Sequence, residues 1–332
     1  MALQGFDPKW KDLPDYIIGI TKEIWEDRGV QTLDHYYTTD MIKRTPAGVV
    51  IGKTAVISET IGALALCPDM QIYAEDVIWS GDDVTGLLSS HRVTNVATHG
   101  ADGPFGPQAA GKRVYQRVIA DCACLNNAIY DEWLVFDQGA VTRQLGQHPR
   151  DFARSQIAGE GGPAKAARPF NPSMDVQGDY RGRGNDSEWG GRYVDLLQSV
   201  MKGDFAALPR IYDRAVQLEL PGGVTAHGIT EADKFWLNLR AAFPDATLDI
   251  QHVIGRDDPL LPPRAAVRWA LHGKHSGWGM FGAPTGAMVY VWGFSHAEFG
   301  PFGPQGWGLR REFIILDEVQ IWKQIHLHTG AV

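Results

Sequence analysis

The sequence reads as an α+β chain in which one run of helices followed by strands is used twice. Two observations carry this reading. Apolar residues recur at helical spacing and then, past Pro68-Asp69 and again past Pro244-Asp245, at every second position. The same residue types also return at a nearly constant separation, 176 positions for Gly52 and Gly228, Arg92 and Arg268, His99 and His275, and Gly106 and Gly282. The separation is 175 at Tyr115 and Tyr290 and 180 at Glu132 and Glu312, because the turn at Gly300–Gly308 is longer than its counterpart at Asn126-Asn127.

Taken in order, Leu13, Ile17, Ile20 and Ile24 form an amphipathic stripe over Leu13–Arg28, which Gly29 ends. A short helical piece, Thr32–Tyr37, leads through Met41–Arg44 to a turn at Thr45-Pro46-Ala47-Gly48. A further helix over Lys53–Leu66 follows. Runs at Ile72–Trp79, Thr85–His99, Lys112–Leu125 and Ile129–Val141 then read as a four-strand meander. In the second unit Arg192–Met201, Phe205–Tyr212 and Gly228–Phe243 are the helices, and Pro221-Gly222-Gly223 repeats the turn. Between the units, residues 146–190 are crowded with Gly, Pro, Arg and Asp and show no period. A connection of that length wraps a domain or covers a site. The expected division is therefore residues 1–145, a linker over 146–190, and residues 191–332.

The chain has 332 residues, 44% of them hydrophobic and 21% charged, enough for two cores. A net charge of −8 argues against a nucleic-acid surface or an anionic membrane as partner, since both need a concentrated Lys/Arg footprint. No apolar run follows a basic start at the N-terminus, so a cytoplasmic address is expected. Cys67, Cys122 and Cys124 cannot build a disulfide framework and read as small buried side chains. Gly52-Lys53-Thr54 with Ala47 nearly spells a phosphate loop, but its first glycine is missing and the second unit has Gly228-Ile229-Thr230 there. No zinc spacing or dinucleotide fingerprint occurs, and no metal or cofactor is expected.

The motifs that recur are Arg268-Trp269, His275-Ser276-Gly277, Phe281-Gly282-Ala283-Pro284-Thr285-Gly286 and Arg311-Glu312-Phe313 through Asp317, with Arg92, His99-Gly100, Phe105-Gly106 and Asp131-Glu132-Trp133 through Asp137 in the first unit. This pattern resembles the SnoaL-like polyketide cyclases, or ester cyclases, of the nuclear transport factor 2-like (NTF2-like) superfamily, over residues 13–145 and 191–325. The resemblance implies two tandem cone-shaped α+β barrels, each with helices packed over a strongly curved, mainly antiparallel sheet and a hydrophobic pocket between them. It also implies cofactor-independent general acid/base chemistry on a hydrophobic carbonyl compound, such as aldol cyclisation, isomerisation or a related lyase step. A non-catalytic binding module of the same fold is the alternative. Members often pair sheet to sheet, so an intrachain pseudo-dimer, and possible further homo-oligomers, are part of the expectation.

Alternation along Val114–Leu125 puts Tyr115, Arg117, Ile119 and Asp121 on one face, and the matching strand puts Tyr290, Trp292, Phe294 and His296 on the corresponding one. An Asp or His near this point is the acid/base that the resemblance implies, which makes Asp121 and His296 the first candidates. A carboxyl among aromatic and aliphatic groups loses hydration and titrates closer to neutrality, where imidazole already does. His99 and His275 are candidate second members, or histidines that bond a turn carbonyl. Tyr37, Trp79, Tyr115, Tyr212, Trp269, Tyr290 and Trp292 are candidate substrate-binding walls. Arg92 and Arg268 alternate away from the histidine face and are expected to pair with carboxylates such as Glu132 and Glu312. Asp137 and Asp317 are candidate supports from the last strand.

Overall fold

The computed structural model describes residues 3–100 and 103–330; residues 1, 2, 331 and 332 at the outer ends of the expected domains, and loop residues 101 and 102, lie outside the described residues. The first unit opens with α1 (Leu13–Thr21), α2 (Leu33–Tyr36), the hairpin β1 (Tyr37–Thr45) and β2 (Gly48–Ile51), and α3 (Lys53–Leu66). The meander follows as β3 (Gln71–Asp82), β4 (Gly86–Thr98), β5 (Arg113–Leu125) and β6 (Ala128–Phe136). After α4 (Gln138–Gln144) and α5 (Pro149–Gly159), the order returns as α6 (Glu188–Met201), α7 (Leu208–Ile211), β7 (Tyr212–Leu220), β8 (Val224–His227) and α8 (Ile229–Ala242), then β9 (Thr247–Arg256), β10 (Arg264–Lys274), β11 (Met288–Gly300), β12 (Gly308–Leu316) and α9 (Glu318–Thr329). No described helix is long and apolar enough to cross a membrane.

Each unit holds one six-stranded sheet, in the orders β2-β1-β6-β5-β4-β3 and β8-β7-β12-β11-β10-β9. Both are open, with β2 and β3, or β8 and β9, as edges, so the expected barrels are open α+β sheets carrying helices. The meander has the expected strands, but the hairpin at its side was not expected. β1 lies parallel to β6, and β7 parallel to β12. A short helix, α2 or α7, runs straight into that parallel strand, and the Met41–Arg44 run was too short to declare a strand by its own period. Gly52 and Gly228 sit at φ of 90° and 86° before α3 and α8. Glycine adopts that conformation without the steric cost a side chain incurs, so the same backbone turn recurs in both units.

In the first unit Asp12 caps α1 by accepting from the Asp15 amide, and Leu13, Tyr16, Ile17 and Ile20 form its buried stripe. The expected helix continues only as a π-helical turn, Lys22–Glu26. That stripe packs on Leu87, Val93, Val118, Ala120, Cys122 and Cys124, which identifies the helix-covered face of the sheet. In the second unit Tyr193, Leu196, Leu197 and Val200 of α6 pack on Val267, Trp269, Val291, Ala297 and Phe299 in the same way.

The stretch expected as a linker carries a helix, α5, and is divided between the two units. The first unit comprises the chain up to Phe136 with Ala140–Gln147 and Phe170–Gly182, and the second takes Asp137–Gly139, His148–Pro169 and the rest. His148 caps α5 by accepting from the Arg150 amide, and Phe152, Ala153 and Ile157 bury one side of it. Lys323 of α9 pairs with Glu160 at its end, at 2.7 Å. Three apolar residues among so many polar ones left no readable period. Residues 170–182 form a strap on the first sheet. Asp131 of β6 accepts from Arg44 at 2.8 Å and from the Tyr180 amide at 2.9 Å, and Arg44 also reaches Asp175 at 2.5 Å and the Val176 carbonyl. The guanidinium lies 4.7 Å from the Trp133 ring, and Tyr180 meets that ring edge-on.

Arg44 and Asp131 are 2% and 0% exposed, so removing one partner leaves the other charged and dry. Arg44→Met is expected to destabilise the first domain by about 3–5 kcal/mol in urea unfolding, whereas an effect of only a few tenths would show that the strap contributes little.

Candidate functional site

Residues directly opposite on neighbouring antiparallel strands share a face. On the helix-covered face of the first sheet one rung runs Trp79 to Ser89, Ser89 to Cys122 and Cys122 to Glu132, and Lys43 of β1 lies beside Glu132. Glu132 is 7% exposed, and burial pushes its carboxyl above the usual range; Lys43 nearby and hydrogen bonds from Cys122 and Tyr37 oppose that rise. The Cys122 thiol lies 3.5 Å from Glu132 Oε1. Burial and the Glu132 charge push that thiol far up, so it acts as a weak donor rather than a thiolate. One rung along, His91 Nδ1 lies 3.2 Å from Ser89 Oγ, and burial lowers the imidazole to about 4, which keeps it neutral. A gap of about 10 Å³, roughly one water, reaches His91 between α1 and strands β3 and β4.

The second sheet repeats the carboxylate and changes its surroundings. Glu312 is fully buried, and its oxygens accept from Tyr193 Oη at 2.8 Å and Tyr212 Oη at 2.6 Å. Trp236 Nε1 donates to Tyr212 Oη at 2.9 Å, and Trp269 Nε1 to Ser295 Oγ at 2.9 Å. Burial raises the Glu312 carboxyl to about 7 against the pull of the two hydroxyls. Tyr16, which occupies the place of Tyr193 in the first unit, donates instead to the Asn127 carbonyl at 3.0 Å.

The chambers differ most in what fills them. Trp236 and Trp269 correspond by register and repeat to Thr60 and Val93, Phe235 to Glu59 and Phe243 to Cys67. In the other direction Val267, Ala265, Ala297 and Leu218 correspond to His91, Ser89, Cys122 and Lys43. The second chamber is therefore closed by its own indoles and phenyls, while the first is smaller-walled and polar. Glu132 stands there with a carboxyl that burial raises.

The expected site residues fall into two groups. Tyr37, Trp79, Tyr212 and Trp269 lie on the helix-covered faces, the first two partly exposed and the last two buried. Asp121 and His296 are buried, but each alternates with residues that face the helices, Ala120 and Cys122 or Ser295 and Ala297. They thus point from the opposite face of the sheet, together with Tyr115, Tyr290 and Trp292, and do not line the helix-covered chamber. Tyr115 is 54% exposed, and Tyr290 and Trp292 bond the Gln251 amide at 2.8 Å each. His99 and His275 sit where the strands leave the sheet: His99 Nδ1 is 2.8 Å from the Gly100 carbonyl, and His275 Nδ1 is 3.0 Å from Thr285 Oγ1. Neither shares a rung with Glu132 or Glu312.

The sequence reading missed the two glutamates as site groups by assigning them to arginines. Arg92 instead bonds Glu75 at 2.7 Å, and Arg268 lies over the Phe294 ring, since both arginines project from the face opposite to the glutamates. Asp137 accepts from the Gly222 and Gly223 amides, and Asp317 caps α9, so both hold backbone rather than the chamber. The available signal was the repeat itself, which returns Tyr37 and Glu132 as Tyr212 and Glu312.

Comparison with protein families matches residues 16–145 to the SnoaL-like polyketide cyclases and residues 191–300 to the SnoaL-like domain. Comparison with curated proteins yields no match. Among solved structures, the chain is similar to a SnoaL-like polyketide cyclase from Agrobacterium tumefaciens, at 21% identity over 42% of this chain and 98% of that one, with a TM-score of 0.33. IdmH from Streptomyces antibioticus matches at 20% identity over 40% and 97%, with a TM-score of 0.35. TsrD from Streptomyces laurentii matches at 16% identity over 41% and 98%, with a TM-score of 0.34.

Glu312 titrates at about 7 when folded against an ordinary value of 4.5. The folded state therefore holds an extra proton between these values, and the associated stability, complete below about 4.5, is lost as pH rises through about 7. Urea unfolding of the second domain from pH 5 to 8 is expected to show a decline to which Glu312 contributes on the order of 3 kcal/mol. Glu312→Gln removes that part, and Asp317, raised in the same direction, supplies what slope remains. Parallel curves for the two proteins would refute the assignment.

Proposed function

Because the chain carries two SnoaL-like domains in tandem, we propose that it is a cofactor-independent enzyme of the polyketide-cyclase kind, working in the first domain with Glu132 as its acid/base. The observation that carries this reading is the pair of equivalent buried glutamates, one held by two tyrosines under indoles and one set among smaller side chains. Glu312 is held by two tyrosines beneath Trp236 and Trp269, whereas the first domain has the smaller Thr60 and Val93 at the positions of those indoles. The second domain then takes the non-catalytic reading, because its own aromatic side chains occupy the substrate's volume.

The chemistry asks little more than these residues. Glu132, ionised, takes the proton from the carbon next to a carbonyl, and the electron pair of that C–H bond becomes the enolate. The enolate carbon attacks a second carbonyl carbon of the same molecule, one C–C bond forms, and the proton on Glu132 passes to the new alkoxide. Atoms and charge balance without an oxidant, and isomerisation is the same sequence with the proton returned to a different carbon. A carboxyl raised by burial suits both steps, because it is a stronger base when ionised than an ordinary carboxylate and holds the proton it takes until the alkoxide forms. Tyr37, whose hydroxyl bonds Glu132, supplies a donor beside the reacting oxygen. Trp79 and the aliphatic walls fold an apolar chain so that its two carbonyls meet.

Solvent-proton exchange tests the first step. In D₂O the protein is expected to speed loss of the α-protons of apolar ketones such as 2-tetralone, followed by NMR, and Glu132→Gln to lower that rate by about 10²–10⁴-fold. Glu312→Gln retains the rate, and Thr60→Trp, which copies the second domain's filling, abolishes it. A Glu132→Gln protein as active as the parent, or a protein that exchanges none of these ketones faster than buffer does, counts against the reading.

A further inference from the structure

Beyond the acid/base chamber, we infer that the second domain carries a separate binding site, at the hairpin end of β11 and β12, for a flat apolar small molecule bearing a carboxylate. A cavity of about 480 Å³ opens there. Its size lies within the range of small-ligand sites and far exceeds a gap for single waters. It takes no residue from the Glu312 cluster.

Its walls come from three separate places in the chain. Trp189 stands in the first turn of α6, Phe299 near the end of β11 and Trp307 just before β12. Their ring centroids lie 5.0 Å apart for Trp189 and Phe299, 6.2 Å for Trp189 and Trp307, and 5.7 Å for Phe299 and Trp307. The remaining apolar lining is Pro262, Pro263 and Pro301. Indole, phenyl and pyrrolidine rings have few torsions to freeze, so such walls accept a flat ligand at small entropic cost.

Charge selects the ligand further. A cage of aromatic rings ordinarily recruits a cation, but here the guanidinium of Arg192 already lies 4.3 Å from the rings of both Trp189 and Trp307. The faces that would attract a cationic ligand are thus engaged by the protein's own charge, and Arg310 and Arg311 in the lining outnumber its one carboxylate, Glu298. Arg310 is held by Asp213 at 3.1 Å. Arg311 is looser: its nearest carboxylate, Glu298, is 3.7 Å away, beyond hydrogen-bond reach, and its side chain is 52% exposed. Among the described residues its guanidinium makes no hydrogen bond. A planar fork of donors in that state, beside an apolar wall, matches a carboxylate on an aromatic body.

The test titrates the full chain with 2-naphthoate at neutral pH, following tryptophan fluorescence and ligand saturation-transfer NMR, with 2-naphthylmethanol and 2-naphthylmethylamine as the neutral and cationic counterparts. Naphthoate is expected to bind at least about tenfold more tightly than the amine, and Arg311→Gln to weaken naphthoate about tenfold while sparing the alcohol. Trp307→Leu weakens both, and Glu132→Gln changes neither, which separates this site from the acid/base reading. The inference is overturned if a folded Arg311→Gln protein keeps its naphthoate affinity, if the amine binds as well as the acid, or if naphthoate fails to bind up to its solubility. Binding of a proline-rich decapeptide without naphthoate would instead make the cavity a peptide groove and equally refute a small-molecule site.

Discussion

A carboxylate placed under a layer of helices must find donors or give up its charge, and both domains are arranged around that demand. Strand register sets Glu132 and Glu312 at equivalent positions of their two sheets, facing the helices, where burial favours the protonated form. In the second domain two tyrosines supply the donors and an indole buttresses one of them, so the group is satisfied and shut in. In the first, Tyr16 is turned to a backbone carbonyl, and Glu132 is left to Tyr37 and a weak thiol donor. The same backbone thus holds its acid between two tyrosines in one copy and among smaller, more polar groups in the other.

The filling follows from that difference. Two indoles and two phenyls in the second chamber stand where the first has Thr60, Val93, Glu59 and Cys67. Each large side chain taken from water contributes about 1.5–3 kcal/mol, so the second domain holds the stronger core. The first trades part of that for polar groups, Ser89, His91, Cys122 and Lys43, on the face its helices cover. Polarity there has a structural cost, which is met by pairing His91 with Ser89 and Cys122 with Glu132.

Much of this fold was legible in the residues. The recurrence of Gly52, Arg92, His99 and Gly106 at one spacing announced two copies, and the change of period past each Pro-Asp located the meanders. The face of each strand was not legible. In β5 the residues Val118 through Cys124 are buried on both sides, Asp121 included, so alternation sorts them into two sets without saying which set meets the helices. Asp121 and His296 were placed inside by that ambiguity. Only the packing of Tyr16 and Ile17 on Ala120 and Cys122 resolves it. The parallel strand β1 escaped because its partner, β6, is distant in sequence, and α5 because so few apolar residues define its buried side. The glutamates were visible as a repeated pair, but their role depends on whether a neighbour is Trp or Thr, which is a property of three-dimensional filling.

The strap that clasps Arg44 and Asp131 bears on where one domain stops. Its residues lie beyond α5, whose packing belongs to the second unit, so the first domain is discontinuous along the chain. A fragment cut at residue 145, where the repeat appears complete, would keep all six strands yet strip Arg44 of Asp175 and Asp131 of the Tyr180 amide. Evolutionary unit and folding unit are therefore different objects in this protein: the duplicated segment encodes the chamber, and an unduplicated one closes its back.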